Sequence, residues 1–252
     1  MKLIKNQGFT NKTFHDVENN RFVKEKQYDE FNHKVDYFQL NRFDFSPKTI
    51  SNDEHYLTTE FIEGVNPEMT NDVLIQIGKS LIQLHNSKLK LPPCQLSRRF
   101  KIYRKKVADL KRSIPVLDKY YKKINLFLRN VDQSAPCHND YWKNNLILEK
   151  DTNKLFVIDW EYASMGDVHF DLAYIIEQEN LSDEQIKVLL NAYGDDYSPY
   201  KLQIHRILVD ALIVLWVNKF PVKPFDESEY IQRIETNFSK LNSMENDIYK
   251  CS

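Results

Sequence analysis

CHNDYWKNNLILEKDTNKLFVIDWEYASMGDVHFDL, residues 137–172, is the segment around which the rest of the chain is organised. It gathers His138, Asp140, Asn145, Asp159, Glu161 and Asp171 into a narrow window. The apolar run Leu146–Leu148 follows Asn145, and a second run, Leu155–Ile158, ends at Asp159. A charged connection without glycine, Glu149 to Asn153, lies between them. Two β-prone runs joined by a short polar link read as a β-hairpin. Such a hairpin holds Asn145 at its entry and Asp159 at its exit, so both can point into one space. Asp140 sits on the loop just before.

An Asp on a loop, an Asn five residues later and an Asp after the following strand suit phosphoryl transfer. One carboxylate orients the attacking hydroxyl or takes its proton. The Asn amide oxygen and the second carboxylate are hard ligands of the kind Mg²⁺ prefers when it holds nucleotide phosphates. Taken singly, acidic residues beside turns are as readily solvated or capping groups; it is the ordered set that points to chemistry.

His138-Asn139-Asp140 with Asn145 resembles the HxDxxxxN pattern of the aminoglycoside phosphotransferase and choline kinase superfamily. Asp159-Trp160-Glu161-Tyr162-Ala163, Gly166 and Phe170-Asp171-Leu172-Ala173 resemble the IDxEYA…G…DLA segment of choline/ethanolamine kinases, with the bacterial LicA-like branch as the nearest likeness. The likeness is sharpest over Cys137–Ala173 and extends weakly over most of the chain. It implies an α/β (α+β), two-lobed protein-kinase-like fold. Residues 1–62 would be the nucleotide-binding lobe, a small antiparallel β-sheet with one helix. Residues 63–66 would be the hinge, and 67–252 the larger, mainly helical catalytic and substrate-binding lobe.

It implies roles as well. Asp140 is the base or hydroxyl-orienting group, and Asn145 and Asp159 hold Mg²⁺. His138 belongs to the catalytic set by fixing the loop rather than by doing chemistry, and Asp171 braces that loop. Gly8, Thr10 and Asn11 loosely match a turn over the phosphates of ATP, although a plain hairpin turn reads equally well. Lys24, in the strand-like Arg21–Glu25, has the register of the lysine that meets the α- and β-phosphates; Lys26 competes for that role. Phe31, Val35 and Phe38 are spaced for one helix face, and Glu30 near its start is the candidate partner for the lysine. Tyr56–Ile62 is β-rich, and backbone groups of Phe61 and Ile62 would bind adenine. The break at Glu63–Pro67 then marks the hinge.

The acceptor implied by the likeness is choline, with ethanolamine next; an aminoglycoside or another small metabolite such as thiamine is a further alternative. A quaternary ammonium is held by aromatic faces and carboxylates. Trp216, Tyr162, Trp160 and Glu177 are the candidates. Where the family often has a second tryptophan one turn before Trp216, this chain has Ile213. Each aromatic is also an ordinary core residue. Asp210, a carboxylate in an apolar helix, either faces the substrate or meets a Lys or Arg. From a different class, a non-catalytic binding module would keep the fold; the presence of Asp140, Asn145 and Asp159 together speaks against it.

Composition narrows the partners. The 252 residues carry 35 basic and 36 acidic side chains, a balance that gives nucleic acid no support. The basic segment Arg98–Arg112 reads as a solvated helix with its apolar stripe inward. Cys94, Cys137 and Cys251 have neither metal-like spacing nor a disulfide framework. The start MKLIKNQGFT has no long apolar core and is not read as a secretory signal. Ile207–Val217, the most apolar stretch, carries Asp210 and is too short to span a bilayer. A reducing cytoplasm is the expected compartment. Downstream, helices are expected from Met69, over Val168–Glu177, after a capping box at Ser182/Gln185, from Ser198-Pro199 to about Phe220, and over about Glu227–Leu241.

Overall fold

Short strands rich in β-branched and aromatic residues build the N-terminal sheet. The computed structural model describes residues 1–4 and 12–250, the side chains of 248–250 excepted. Strand β1 is Lys2–Leu3, β2 Lys12–Asp16, β3 Arg21–Glu25, β4 Thr49–Asn52 and β5 Tyr56–Glu60. They pair antiparallel in the order β1-β2-β3-β5-β4. Asn20, at φ 49°, closes the β2–β3 turn in the left-handed conformation that Asn tolerates better than most residues. Lys24 pairs with Leu57 in the middle of the sheet, so its side chain is fixed on the face that turns toward the rest of the chain. The expected turn at Gly8, Thr10 and Asn11 lies outside the described residues.

The helix expected over Phe31–Phe38 does not form. The Asp29 carboxylate accepts from the backbone N–H of Phe31 and of Asn32, and His33 takes φ 54°. Both features divert the backbone from α-helical geometry. Only a 3₁₀ helix follows, Tyr37–Arg42, capped by Asp36. Phe31 and Val35 are buried as their spacing requires, but Phe38 is exposed.

The helical part begins with α1, Asn71–His85, capped by Thr70. Then come α2 (Leu96–Asp109), α3 (Pro115–Lys119) and α4 (Tyr121–Arg129). Further on lie α5 (Val168–Gln178), α6 (Asp183–Tyr193), α7 (Pro199–Asn218) and α8 (Ser228–Lys250). The capping box at Ser182/Gln185 and the Ser198 cap with Pro199 at the first helical position are both present. Helix α7 is buried almost all round and packs against α2, α4, α5 and α8. Asp210 within it is fully buried and meets Arg233 of α8 at 3.0 Å, which settles its partner as an arginine of the helical part.

The central hairpin forms where its residues require it. Strand β8 (Leu146–Glu149) pairs with β9 (Leu155–Val157). The stretch 63–66 is not a bare connection: β6, Gly64–Val65, adds to the hairpin as an antiparallel edge strand. A second small ladder joins β7 (Ala135–Cys137) to β10 (Ser164–Gly166), bracketing the segment that carries the polar cluster.

Gly78 decides how closely α1 and α6 approach. A Cβ there would lie 2.7 Å from the Leu189 carbonyl oxygen and 2.9 Å from the Tyr193 nitrogen. Gly→Ala inside a helix ordinarily gains about 1 kcal/mol. Here the clash is with backbone, which cannot rotate away, so overpacking should win. Gly78→Ala is expected to destabilise by about 1–3 kcal/mol. A raised midpoint in thermal or urea unfolding would show that the two helices can move apart freely.

Candidate active site

Strand β7 delivers His138–Asp140 onto a loop whose backbone is tied down. The carboxylate of Asp171, fully buried in the first turn of α5, accepts from the backbone N–H of His138 at 2.8 Å and of Asn139 at 2.7 Å. His85 at the end of α1 adds a third contact to Asp171 at 3.1 Å. Asn139 takes φ 64°, and its side-chain amide donates to the Tyr162 carbonyl and the Ser164 hydroxyl. The His138 ring, wholly buried, donates from Nε2 to the Ile158 carbonyl at 3.0 Å. It packs edge-on against Tyr141 and Trp160. His138 therefore links the loop to the exit of the hairpin.

Asp140 is held on both oxygens. Oδ1 accepts from the Tyr174 hydroxyl at 2.6 Å and Oδ2 from Asn145 Nδ2 at 2.8 Å. Burial pushes its carboxyl above the ordinary range, against the opposing pull of the Tyr174 hydrogen bond. Asn145 also donates to the Asp140 carbonyl at 2.8 Å. With its amide nitrogen committed to Asp140, Asn145 has its oxygen left to face the cleft.

Asp159 follows β9 in the left-handed conformation, φ 61° and ψ 57°, uncommon for a side chain of any size and typical of functional turns. Its Oδ1 lies 2.6 Å from Lys24 Nζ, across the space between the sheet and the hairpin. Burial pushes the Asp159 carboxyl up, but the Lys24 charge outweighs this and holds it below its ordinary value. Burial likewise works against the Lys24 ammonium, and the Asp159 and Glu161 carboxylates outweigh it and raise its pKa. Lys24, Phe61, Ile62, Asn145, Ile158 and Asp159 all line one cavity of about 780 Å³ between the sheet and the hairpin.

The profile of the phosphotransferase enzyme family (APH) matches residues 41–202, most of the chain and all of this cluster except Lys24. This chain belongs to that family. It is 57% identical to the "Protein LicA homolog" of Metamycoplasma hominis over 96% of its own length and 98% of the relative's. In three dimensions it matches the choline kinase LicA of Streptococcus pneumoniae with a TM-score of 0.75 at 20% identity, covering 95% of this chain and 94% of that one. A LicA solved in complex with AMP matches with a TM-score of 0.73 at 19% identity, covering 95% and 91%. The two-lobed kinase-like fold expected from the sequence is thus the fold of this phosphotransferase.

Two assignments need correction. The partner of Lys24 is not Glu30, which stands at the surface beside Arg98 and Lys106 at 3.8 and 3.9 Å. Without the expected helix nothing carries Glu30 inward. Glu161 takes that place instead, 3.6 Å from Lys24 Nζ and 3.2 Å from His33 Nε2. Glu177 does not offer a counter-charge to a ligand. It is buried against two guanidiniums, Arg206 and Arg233, the latter at 3.0 Å, and its charge is already balanced.

Lys26 points elsewhere and donates to the Asp53 carbonyl. Trp160 is core: its indole N–H donates to the Val157 carbonyl and its ring stacks with Phe43 and Phe45. Tyr162 donates to Asp29 at 2.9 Å and shows its face to Arg99, 4.6 Å away. Trp216 lies apart from the nucleotide-side cavity, among Phe220, Phe225 and Lys219. Sequence reading missed Tyr174 and Arg99. Each is one helix position among many, and only folding brings the Tyr174 hydroxyl to Asp140 and the Arg99 guanidinium over Tyr162.

Proposed function

We propose that this chain transfers the γ-phosphoryl group of ATP to the hydroxyl of choline, giving phosphocholine. The observation that carries the reading is Asp140, fixed by Tyr174 and Asn145, beside the ion pair of buried Lys24 with Asp159. The sheet, residues 1–62, would hold the nucleotide, with 63–66 joining it to the acceptor-binding part, 67–252. Lys24 would meet the α- and β-phosphates, and the backbone near Phe61 and Ile62 would take adenine. Phe61 already stacks on His15 at 3.6 Å, forming a flat wall to the cavity. The AMP complex of a LicA with this fold supports an adenine nucleotide.

Asn145 and Asp159 would hold Mg²⁺. Their fit rests on the donor set: an amide oxygen left facing the cleft and a carboxylate, both hard ligands of the right class. When bound, the metal supplies charge neutralisation on the phosphates. Asp140 orients the acceptor hydroxyl and receives its proton. His138 and Asp171 hold the loop so that Asp140 keeps this aim. A cytoplasmic setting, where ATP is at hand, fits this chemistry.

Choline is supported by the activity named for the structural neighbour, the choline kinase LicA of Streptococcus pneumoniae, and by ring faces of the helical part. Tyr103, Trp216 and Phe220 already surround an ammonium, that of Lys219. A trimethylated ammonium cannot donate hydrogen bonds and needs such faces. Trp216→Ala should raise KM for choline by about two- to thirtyfold while KM for ATP stays put. The deciding experiment is ADP release measured side by side with choline, ethanolamine, thiamine and kanamycin. Turnover of kanamycin without turnover of choline would refute the acceptor and leave the phosphotransfer.

A further inference from the structure

The aromatic cluster that suits an acceptor cation is already filled by the chain itself. Lys219 caps the C-terminal end of α7, one turn after Trp216. Its Nζ lies 4.1 Å from the ring centre of Tyr103, 4.9 Å from that of Phe220 and 5.6 Å from that of Trp216. Among the described residues no carboxylate forms an ion pair with it; Asp29 and Glu30 act on it only through longer-range charge. Ring faces thus hold this ammonium, with the negative end of the α7 dipole near it.

We propose that Lys219 is a specificity-determining residue of the acceptor site: its ammonium is the resident cation of the Tyr103–Trp216–Phe220 cage, and a cationic alcohol enters by displacing it. The inference rests on the choline reading for the identity of that alcohol. The half-buried Arg99 guanidinium lies over Tyr162 at 4.6 Å and Tyr103 at 5.8 Å, and its charge acts on both Asp140 and Lys219. A lysine at a helix end can swing its long side chain into solvent, which a cage residue on the helix body cannot do.

The charges facing Lys219 set how firmly it stays. Burial pushes its pKa down to about 8, helped by Arg99 and Lys106 of α2 and opposed by Asp29 and Glu30 of the loop after β3. Near pH 7 most molecules carry the charged occupant; near pH 9 most do not. Choline keeps its charge throughout, so any change across this range belongs to the protein. The fraction of competent cages rises about tenfold, and the apparent affinity for choline rises with it.

The test compares wild type with Lys219→Met and Lys219→Arg. Wild-type KM for choline should fall by about tenfold between pH 7 and pH 9. Lys219→Met should show the low value at both pH values, and Lys219→Arg the high value at both, with KM for ATP unaffected. A Lys219→Met enzyme with an unchanged or raised KM for choline, folded by circular dichroism, would overturn the proposal. A second readout needs no turnover. The tryptophan fluorescence of wild type, minus that of Trp216→Phe, should inflect near pH 8 and lose the inflection in Lys219→Met. No inflection in wild type also overturns it. Absence of choline turnover in every variant would reject the choline reading, and the fluorescence titration then decides the cage occupancy alone.

Discussion

Asp140→Asn is expected to lower turnover by about 10²- to 10⁴-fold, or ~3–5 kcal/mol of transition-state stabilisation. The substitution keeps the shape but removes the base. It also places a donor where an acceptor is needed. Oδ1 now receives the Tyr174 hydroxyl and Oδ2 the Asn145 amide, so an Asn side chain must set its NH₂ against one of them. Asp140 is not among the residues lining the nucleotide-side cavity, so the Kd for ATP should change by less than the turnover does. Single-turnover kinetics beside nucleotide binding measure the split. Turnover like that of the wild type would remove Asp140 from the chemistry.

Asp159→Ala should do more than weaken the proposed metal site. Lys24 is only 5% exposed, and its nearest carboxylate would vanish, leaving Glu161 at 3.6 Å. Removing one partner of a buried pair costs about 3–5 kcal/mol because the other charge is stranded; Glu161 should reduce that loss. Nucleotide binding that depends on Mg²⁺ should disappear. Asp159→Asn separates the two effects. Asn accepts the left-handed backbone at this position, so the turn survives, while the charge that balances Lys24, and that the proposed metal site requires, is gone. Calorimetric titration with ATP, with and without Mg²⁺, reads the outcome; metal-dependent binding retained in both variants would reject Asp159 as a ligand. The wild-type pair also predicts a pH window. Asp159 has a folded-state pKa below its unfolded value, so its stabilisation is present above the ordinary carboxylate range and is lost as pH falls through the folded pKa.

What the sequence determined by itself is what short-range chemistry governs. The hairpin with Asn145 at its entry and Asp159 at its exit follows from two apolar runs and a polar link within about fifteen residues. The Ser182/Gln185 box and the Ser198-Pro199 start follow from side chains satisfying backbone N–H groups three residues away. The HxDxxxxN and IDWEYA patterns compress the Asp140 loop and the Asp159 turn into one segment, so the family was legible. Tertiary structure decided the rest, because those partners are far apart in the chain. Lys24 meets Asp159 at a separation of 135 residues. The apolar spacing of Phe31, Val35 and Phe38 fits a helix as well as the irregular segment that forms, and only the Asp29 hydrogen bonds and the His33 backbone choose between them. That choice sends Glu30 to the surface and leaves Glu161 to balance Lys24. Glu177 looked available because its sequence neighbours say nothing of Arg206 and Arg233, which reach it from α7 and α8. A buried charge takes the partner that folding brings within reach, and periodicity along one element carries no record of a charge on another.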